Sequence, residues 1–360
     1  MRNFRSMTAI ILALCLCLGL AACGQAPEQD LPEPQASAPA QTDGQQLEQE
    51  LVEQLTLTKE ALPGGLASLD AMSGRDGEFV LAGQDSSGKP VLGVLDAQGA
   101  FEALALPEDV LSVDAVCRTG EGAAALAFTE AGACILSYSG GEPSRVELAA
   151  EAADHLYGDL GLAVRDGNYY VMYYMGIVEF GPDGQATRSC MGEEKWSYFT
   201  SMQEADGRIY VAMGDGMAGG GTLCELDTEN MALVTADTGE LGVTVLGLSA
   251  EGGLLLSGEL EGRDVVAEPG EGGPAELFDW SEPGVAVVTY LGLWEQPDGS
   301  YILFRPGATE LERLTLQLTK PKTELRVLTD YAGTVLYDLV NAFNQEDPDY
   351  KLRVESLYDE

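Results

Sequence analysis

Between residues 50 and 320, short apolar runs rich in β-branched and aromatic residues alternate with turns rich in Gly and Asp. No segment in that span keeps a 3.6-residue apolar period for a useful length, so strands are the expected element. One acid-glycine pair recurs in each unit: Asp76-Gly77, Glu121-Gly122, Asp166-Gly167, Asp206-Gly207, Glu251-Gly252 and Asp298-Gly299. The successive spacings are 45, 45, 40, 45 and 47 residues. Such a pair between two apolar runs signals a hairpin, because glycine accepts the positive φ of a tight turn. A near-constant period of this size is that of four-stranded propeller blades. The pattern predicts an all-β fold, a six-bladed β-propeller over residues 49–320. In the first unit "LASLDAMSG" is the inner strand, followed by "EFVLAGQD", "PVLGVLDAQG" and "FEALALPED". The sixth unit runs out of strand after "ELERLTLQLTK". Residues 50–62, "ELVEQLTLTKEAL", are predicted to supply its outer strand as an N-terminal clasp. A clasp of this kind removes an open edge.

The texture changes over residues 321–360. "ELRVLT" reads as a short strand, and Thr334 as the N-cap of a helix. Val335, Leu336, Leu339, Val340 and Phe343 form one apolar stripe at helical spacing. Pro348 ends the helix and "YKLRVESL" is a second strand. Strand, helix, strand of these lengths is a βαβ unit with parallel strands. Two parallel strands and one helix do not make a core, since a parallel sheet needs cover on both faces. The unit therefore reads as the truncated start of an α/β domain.

At the other end, Arg2 and Arg5 precede the apolar run "MTAIILALCLCLGLAAC". The run is short for a membrane span and has the flanks of a signal peptide. It ends in "LAAC", which resembles the lipobox of bacterial lipoproteins, with small residues at Ala21 and Ala22 and a thiol at Cys23. The resemblance implies a signal peptide over residues 1–22, cleavage before Cys23, and a diacylglyceryl group on its sulfur. The expected location is the extracellular face of the cell membrane, held by that lipid. Residues 23–48 add Pro, Ala, Gln and acid without an apolar period and read as a disordered tether.

Charge narrows the partners. The chain has 19 Lys and Arg against 59 Asp and Glu, a net charge of −40. Such a surface repels phosphate, which excludes nucleic acid. Of the 7 cysteines, Cys15 and Cys17 leave with the signal and Cys23 is acylated. Cys117, Cys134, Cys190 and Cys224 are scattered in apolar runs, with no C-x-x-C spacing and a single histidine in the chain. They read as buried free thiols rather than zinc ligands, and no metal or other cofactor is expected.

No catalytic constellation emerges. Gly214-x-Gly216-x-x-Gly219 has dinucleotide-site spacing, but "TLCELDTE" after it is a strand. Without a helix N-terminus the motif reads as a hairpin loop. His155 would have to serve any Ser-His-Asp triad, yet no G-x-S-x-G elbow exists, so it reads as a surface or packing residue. The carboxylates offer no pair that stands out for glycoside hydrolysis. Tyr169, Tyr170, Tyr173 and Tyr174 alternate faces on one strand, with packing as the default role and sugar stacking as the alternative.

The segment "ELRVLTDYAGTVLYDLVNAFNQEDPDYKLRVESLYDE" resembles the first βαβ of extracellular solute-binding lipoproteins of bacterial ABC importers, especially the sugar-binding type. The matching elements are "LRVLT", "LVNAFNQEDPDYK" and "LRVESL". The resemblance implies a non-catalytic protein that captures a solute, a sugar, and delivers it to an ABC permease. It also implies that Asp330 and Tyr331, in the loop after the first strand, approach ligand once the domain is completed. Two other classes stay open: an adhesion or sensor module that works through the propeller itself, and an extracellular propeller enzyme acting on polysaccharide.

Overall fold

The computed structural model describes residues 51–356, except 121, 141, 193–196, 216–220, 271, 281–284, 286–289 and 330–333. The signal peptide, Cys23 and the tether therefore lie outside the described residues.

The chain begins with β1 (Val52–Ala61) and then forms antiparallel meanders. The first holds β2 (Leu66–Arg75), β3 (Glu78–Asp85), β4 (Pro90–Leu95) and β5 (Phe101–Ala103). The second holds β6 (Val110–Thr119), β7 (Gly122–Thr129), β8 (Gly132–Tyr138) and β9 (Ser144–Glu147). One helical turn, α1 (Ala150–Ala153), leads to the third: β10 (Gly161–Arg165), β11 (Asn168–Tyr173), β12 (Gly176–Phe180) and β13 (Ala186–Met191). The fourth comprises β14 (Ser197–Ala205), β15 (Arg208–Asp215), β16 (Gly221–Asp227) and β17 (Ala232–Thr235). The remaining strands form one eight-stranded sheet: β18 (Gly242–Leu248), β19 (Leu254–Leu260), β20 (Arg263–Glu268) and β21 (Ala275–Asp279), then β22 (Gly292–Glu295), β23 (Tyr301–Phe304) and β24 (Glu310–Thr319), with β1 at its edge. A short parallel pairing of Gly247 and Leu248 with Leu293 and Trp294 joins its two halves.

This is an all-β, propeller-like architecture, because the meanders stack side by side around their first strands. β2 touches β6, β6 touches β10, β10 touches β14, β14 touches β18, β18 touches β22, and β22 returns to β2. The core lies between neighbouring sheets. One apolar cluster joins Val80 and Leu92 of the first sheet to Val116 and Leu136 of the second. Another joins Leu126 and Ile135 to Val171 and Phe180 of the third. A third joins Met172 and Ile177 to Ile209 and Leu226 of the fourth. Each fully buried side chain of this size contributes roughly 1.5–3 kcal/mol.

Five of the six hairpin signals correspond to turns; in the second, Glu121 lies outside the described residues and Gly122 already belongs to β7, paired with Thr119. Asp76-Gly77, Asp166-Gly167 and Asp206-Gly207 have positive φ at both central residues, the type I′ geometry that matches strand twist. At Glu251-Gly252 and Asp298-Gly299 the glycine alone is positive, because the loops are longer. There Ser249 N–H donates to Gly253 O at 2.8 Å, and Gln296 N–H to Ser300 O at 2.7 Å. The expected edge strand is present: β1 pairs with β24 over its whole length, from Val52↔Thr319 to Ala61↔Glu310. Buried Glu312 of β24 fastens it, accepting from Tyr290 Oη at 2.6 Å and Arg305 Nη2 at 3.1 Å, with Lys59 Nζ of β1 at 3.5 Å.

Beyond the sheets, β25 (Thr323–Thr329), α2 (Thr334–Glu346) and β26 (Tyr350–Ser356) form the strand–helix–strand unit, with β25 and β26 parallel and in register from Thr323↔Tyr350 to Thr329↔Ser356. The helix buries Val340 and Asn344, while Leu339, expected in the apolar stripe, is 45% exposed. Asn344 ties the helix to the sheet: its Nδ2 donates to Leu352 O at 2.9 Å, and its Oδ1 accepts from Leu352 N–H at 2.6 Å. No helix among the described residues is long and apolar enough to cross a membrane.

Candidate functional site: the axial cavity

The first strands of the meanders line a cavity of about 260 Å³ on the axis. Its polar groups follow from one local feature. The pairing of β2 with β3 skips between Leu69 and Ala71, and that of β6 with β7 between Val113 and Ala115. The same skip falls between Phe199 and Ser201 and between Val243 and Val245. A bulged residue leaves the ladder and its side chain is re-aimed. In the first two sheets that residue is Asp70 or Asp114, and both line the cavity. In the fourth it is Thr200, whose Oγ1 donates to Thr244 O at 2.7 Å and so ties two sheets together. Asp159, just before β10, is a third carboxylate on the cavity wall.

Asp70 is half-buried, whereas Asp114 and Asp159 keep exposed side chains on the cavity wall. Burial pushes the Asp70 carboxyl above its ordinary value, with a hydrogen bond from Gln84 opposing and the Asp114 charge reinforcing the rise. Burial likewise raises Asp159. Among the described residues no lysine or arginine forms an ion pair with any of the three. The lining arginines sit toward the far ends of β2 and β6 and are already engaged. Arg75 Nη1 lies 3.6 Å from Glu204 Oε1 across the axis. Arg118 pairs with Glu78, and its backbone N–H donates to Ser73 Oγ at 3.1 Å. The cavity thus has an acidic mouth and a charge-balanced opposite end. Among the described residues no group of three His, Cys, Asp or Glu is placed to hold a metal ion.

The residues singled out from sequence fall elsewhere. His155 is exposed after α1. Tyr169 and Tyr173 pack between the second and third sheets, and Tyr170 between the third and fourth, as strand alternation required. Tyr174 leaves the strand and is exposed, stacked against Tyr157 and Tyr198. Gly214 pairs with Gly221 in the antiparallel hairpin of β15 and β16, while Gly216 and Gly219 lie outside the described residues. Asp330 and Tyr331 lie outside the described residues too. Cys117, Cys134 and Cys224 are buried and Cys190 is half-buried, and none of the four is in a disulfide among the described residues. Burial pushes the Cys117 thiol up to about 12, and Cys134 and Cys190 to about 11. The carboxylates of the cavity escaped the sequence reading. Their signal was the repeated "SLDA" at Ser68–Ala71 and "SVDA" at Ser112–Ala115, the same four positions of consecutive units.

No family model matches the chain, and no curated protein matches it. Among solved structures it is similar to streptogramin B lyase, at 13% identity over 73% of this chain and 98% of that one, with a TM-score of 0.48. It is similar to virginiamycin B lyase from Staphylococcus aureus at 12% identity, covering 74% and 90% of the two chains, with a TM-score of 0.47. The β-propeller domain of Cps50 (Swd1) from Myceliophteria thermophila is 10% identical, covering 74% and 100%, with a TM-score of 0.46. The propeller architecture of this chain rests on its own strand order.

Proposed function

We propose that the protein is a non-catalytic binding lipoprotein, held by a diacylglyceryl group on Cys23 at the extracellular face of the cell membrane. In this reading the eight-stranded sheet supplies the fifth and sixth blades of a six-bladed ring, closed by β1. The unit β25–α2–β26 opens a solute-binding domain that takes a sugar and serves an ABC permease. The observation that carries the reading is the state of that unit. No residue of β25 is buried: Leu325 and Leu328 are exposed on a two-stranded parallel sheet, and Leu339 is exposed on the helix. A parallel sheet is stable when further strands extend it and helices cover both faces, and an α/β lobe provides both. The lipobox-like "LAAC" and the acidic surface fit a protein working outside the cell.

Mass spectrometry of the protein extracted from native membranes tests this. The expected result is a diacylglycerol thioether on Cys23 and peptides that continue beyond Glu360 into α/β sequence. An unmodified Cys23 within an intact N-terminus would overturn the anchor. A mature chain ending at Glu360 would overturn the solute-binding domain.

A second reading, favoured by the axial cavity, makes the ring itself the binding module of an adhesion or sensor protein. Binding of a small ligand by the full chain that Asp70→Asn abolishes would favour this second reading over the first.

A further inference from the structure

The clasp that closes the ring also brings together the two places where the chain enters and leaves it. Val52, the first residue of β1, is paired with Thr319, the last residue of β24. Thr319 Oγ1 donates to Gln54 Oε1 at 3.5 Å, across 265 positions of sequence. Facing residues of an antiparallel pair lie about 4.5–5.5 Å apart. Entry and exit therefore sit at one end of a single ribbon, and β25 of the strand–helix–strand unit begins just beyond it, at Thr323.

This placement fixes how the ribbon meets a load. A pull between the chain before Val52 and the strand–helix–strand unit acts across the end of the ribbon, so its pairs carry the force one at a time. A pull between opposite ends of the two strands runs along them and is shared by all ten pairs. The first peels the ribbon and the second shears it. Peeling needs less force, because the hydrogen bonds of one pair break before the next is strained.

The ribbon is also graded along the direction of peeling. β23 pairs with β24 only from Leu303↔Glu312 to Tyr301↔Leu314, so β1 is the strand partner of Thr315–Thr319 among the described residues. At that end Leu51 is 52% exposed, Leu316 60% and Leu318 64%. Pairs that bury so little apolar surface add little beyond their hydrogen bonds. Farther in, Leu55 and Leu57 are buried in one cluster with Leu314, Phe278 and Trp280. Polar ties follow at the far end. Thr58 Oγ1 donates to Arg313 O at 3.1 Å, Lys59 Nζ lies 3.5 Å from Glu312 Oε1, and Arg313 Nε lies 3.8 Å from Glu60 Oε1. The ribbon is weak where opening starts and strong where opening would expose the core.

We propose that the clasp is an extensible joint. Tension between the N-terminal chain and the strand–helix–strand unit peels Val52–Gln54 from Gln317–Thr319 reversibly, and Leu55 and Leu57 are the stop that keeps the ring closed. Under greater tension the 10 residues of β1 leave together and add at most about 33–36 Å of extended chain, while the other sheets stay folded. In the cell the tension has its source in the lipid on Cys23, so the role of the joint rests on the anchor proposed above. The opening itself is a property of β1 and β24 and is measured without the lipid.

The test is single-molecule pulling of the full chain in optical tweezers, with handles on azide side chains introduced at Leu51 and Pro321, both exposed. The expected first event closes again on relaxation, releases no more than about 36 Å, and precedes unfolding of the sheets. With handles at Leu51 and at exposed Thr309, just before β24, the same strands are sheared, and the first event is expected at a force about twofold higher or more. Leu55→Ala is expected to lower the force that frees β1 from the first pair of handles, and Leu316→Ala to leave it unchanged. A first event that releases far more than about 36 Å would show clasp and ring failing together and would overturn the proposal. Equal opening forces in the two geometries would overturn it as well. An unmodified Cys23 in the native protein would overturn the anchor and the role in the cell while the peeling result stands, so the two failures are told apart.

Discussion

The sheets of the ring and the strand–helix–strand unit after it are made of similar residues and reach opposite states. In β7 the run Ala123–Ala127 is buried at every position. In β25, with Leu325, Val327 and Leu328, no position is. The difference lies in what each kind of strand needs. An antiparallel meander takes its partners from the adjacent sequence and its cover from the next meander, which the repeat supplies. A parallel pair spends a helix on its crossover and still leaves one face and both edges to other elements. A repeat can therefore complete its own core, whereas β25–α2–β26 leaves every position of β25 short of full burial.

The largest test of that contrast is Leu57→Asp in β1. Leu57 is buried against Leu314 in the cluster that joins the clasp to the last two meanders. A buried unpaired charge there is expected to lower stability by more than about 4 kcal/mol, read as a shift of the urea midpoint. Next is Arg188→Ala. Glu179, 1% exposed, accepts from Arg188 Nε at 2.6 Å, Thr187 Oγ1 at 2.7 Å and Tyr170 Oη at 3.0 Å. Removing the guanidinium leaves a buried carboxylate without its counter-charge, an expected loss of about 3 kcal/mol.

The same group sets the acid behaviour of the ring. Arg188 first, then Thr187 and Tyr170, hold the Glu179 carboxyl down at about 2. Its folded-state value is depressed, so its contribution is complete above the ordinary glutamate value of about 4.3 and is lost as pH falls toward 2. Thermal unfolding between pH 5 and pH 2 is expected to show a falling melting temperature in the native protein, with a shallower fall in Glu179→Gln.

A smaller effect separates folded from unfolded thiols. Cys117, Cys134 and Cys190 carry raised pKa values because they are buried, so the thiolate is scarce at pH 8. Iodoacetamide is expected to leave them unmodified in the native ring and to label them in urea. Labelling of the native protein within minutes would show the sheets opening. The smallest expected effect is at Leu328, 62% exposed in β25. Leu328→Asp is expected to change the stability of this chain by less than about 0.5 kcal/mol. In a chain whose α/β lobe is completed the same substitution is expected to be severely destabilising, and equal small effects in both would remove the basis for the contrast.

Much of the framework was readable from residues. The acid-glycine turns, the repeat and the edge strand at residues 50–62 follow from local chemistry, because a tight hairpin needs positive φ and a strand needs a pairing partner. The alternation of Tyr169 and Tyr173 against Tyr170 was equally readable from the two-residue period of a strand. The site was not. Asp70 and Asp114 are ordinary acids in an acidic chain until a bulge takes them out of register, and bulge position answers to sheet twist and closure rather than to side-chain pattern. Asn344 was likewise hidden, since its value lies in two hydrogen bonds to a strand eight residues on.

The sequence by itself determined the strands, their turns, their order and the point near residue 320 where antiparallel gives way to parallel, since each depends on interactions between chain neighbours. The tertiary structure alone decided that Asp70, Asp114 and Asp159, from three separate meanders, line one axial cavity. Those residues are brought together by the packing of whole sheets around their first strands, and no interaction local in sequence encodes that arrangement.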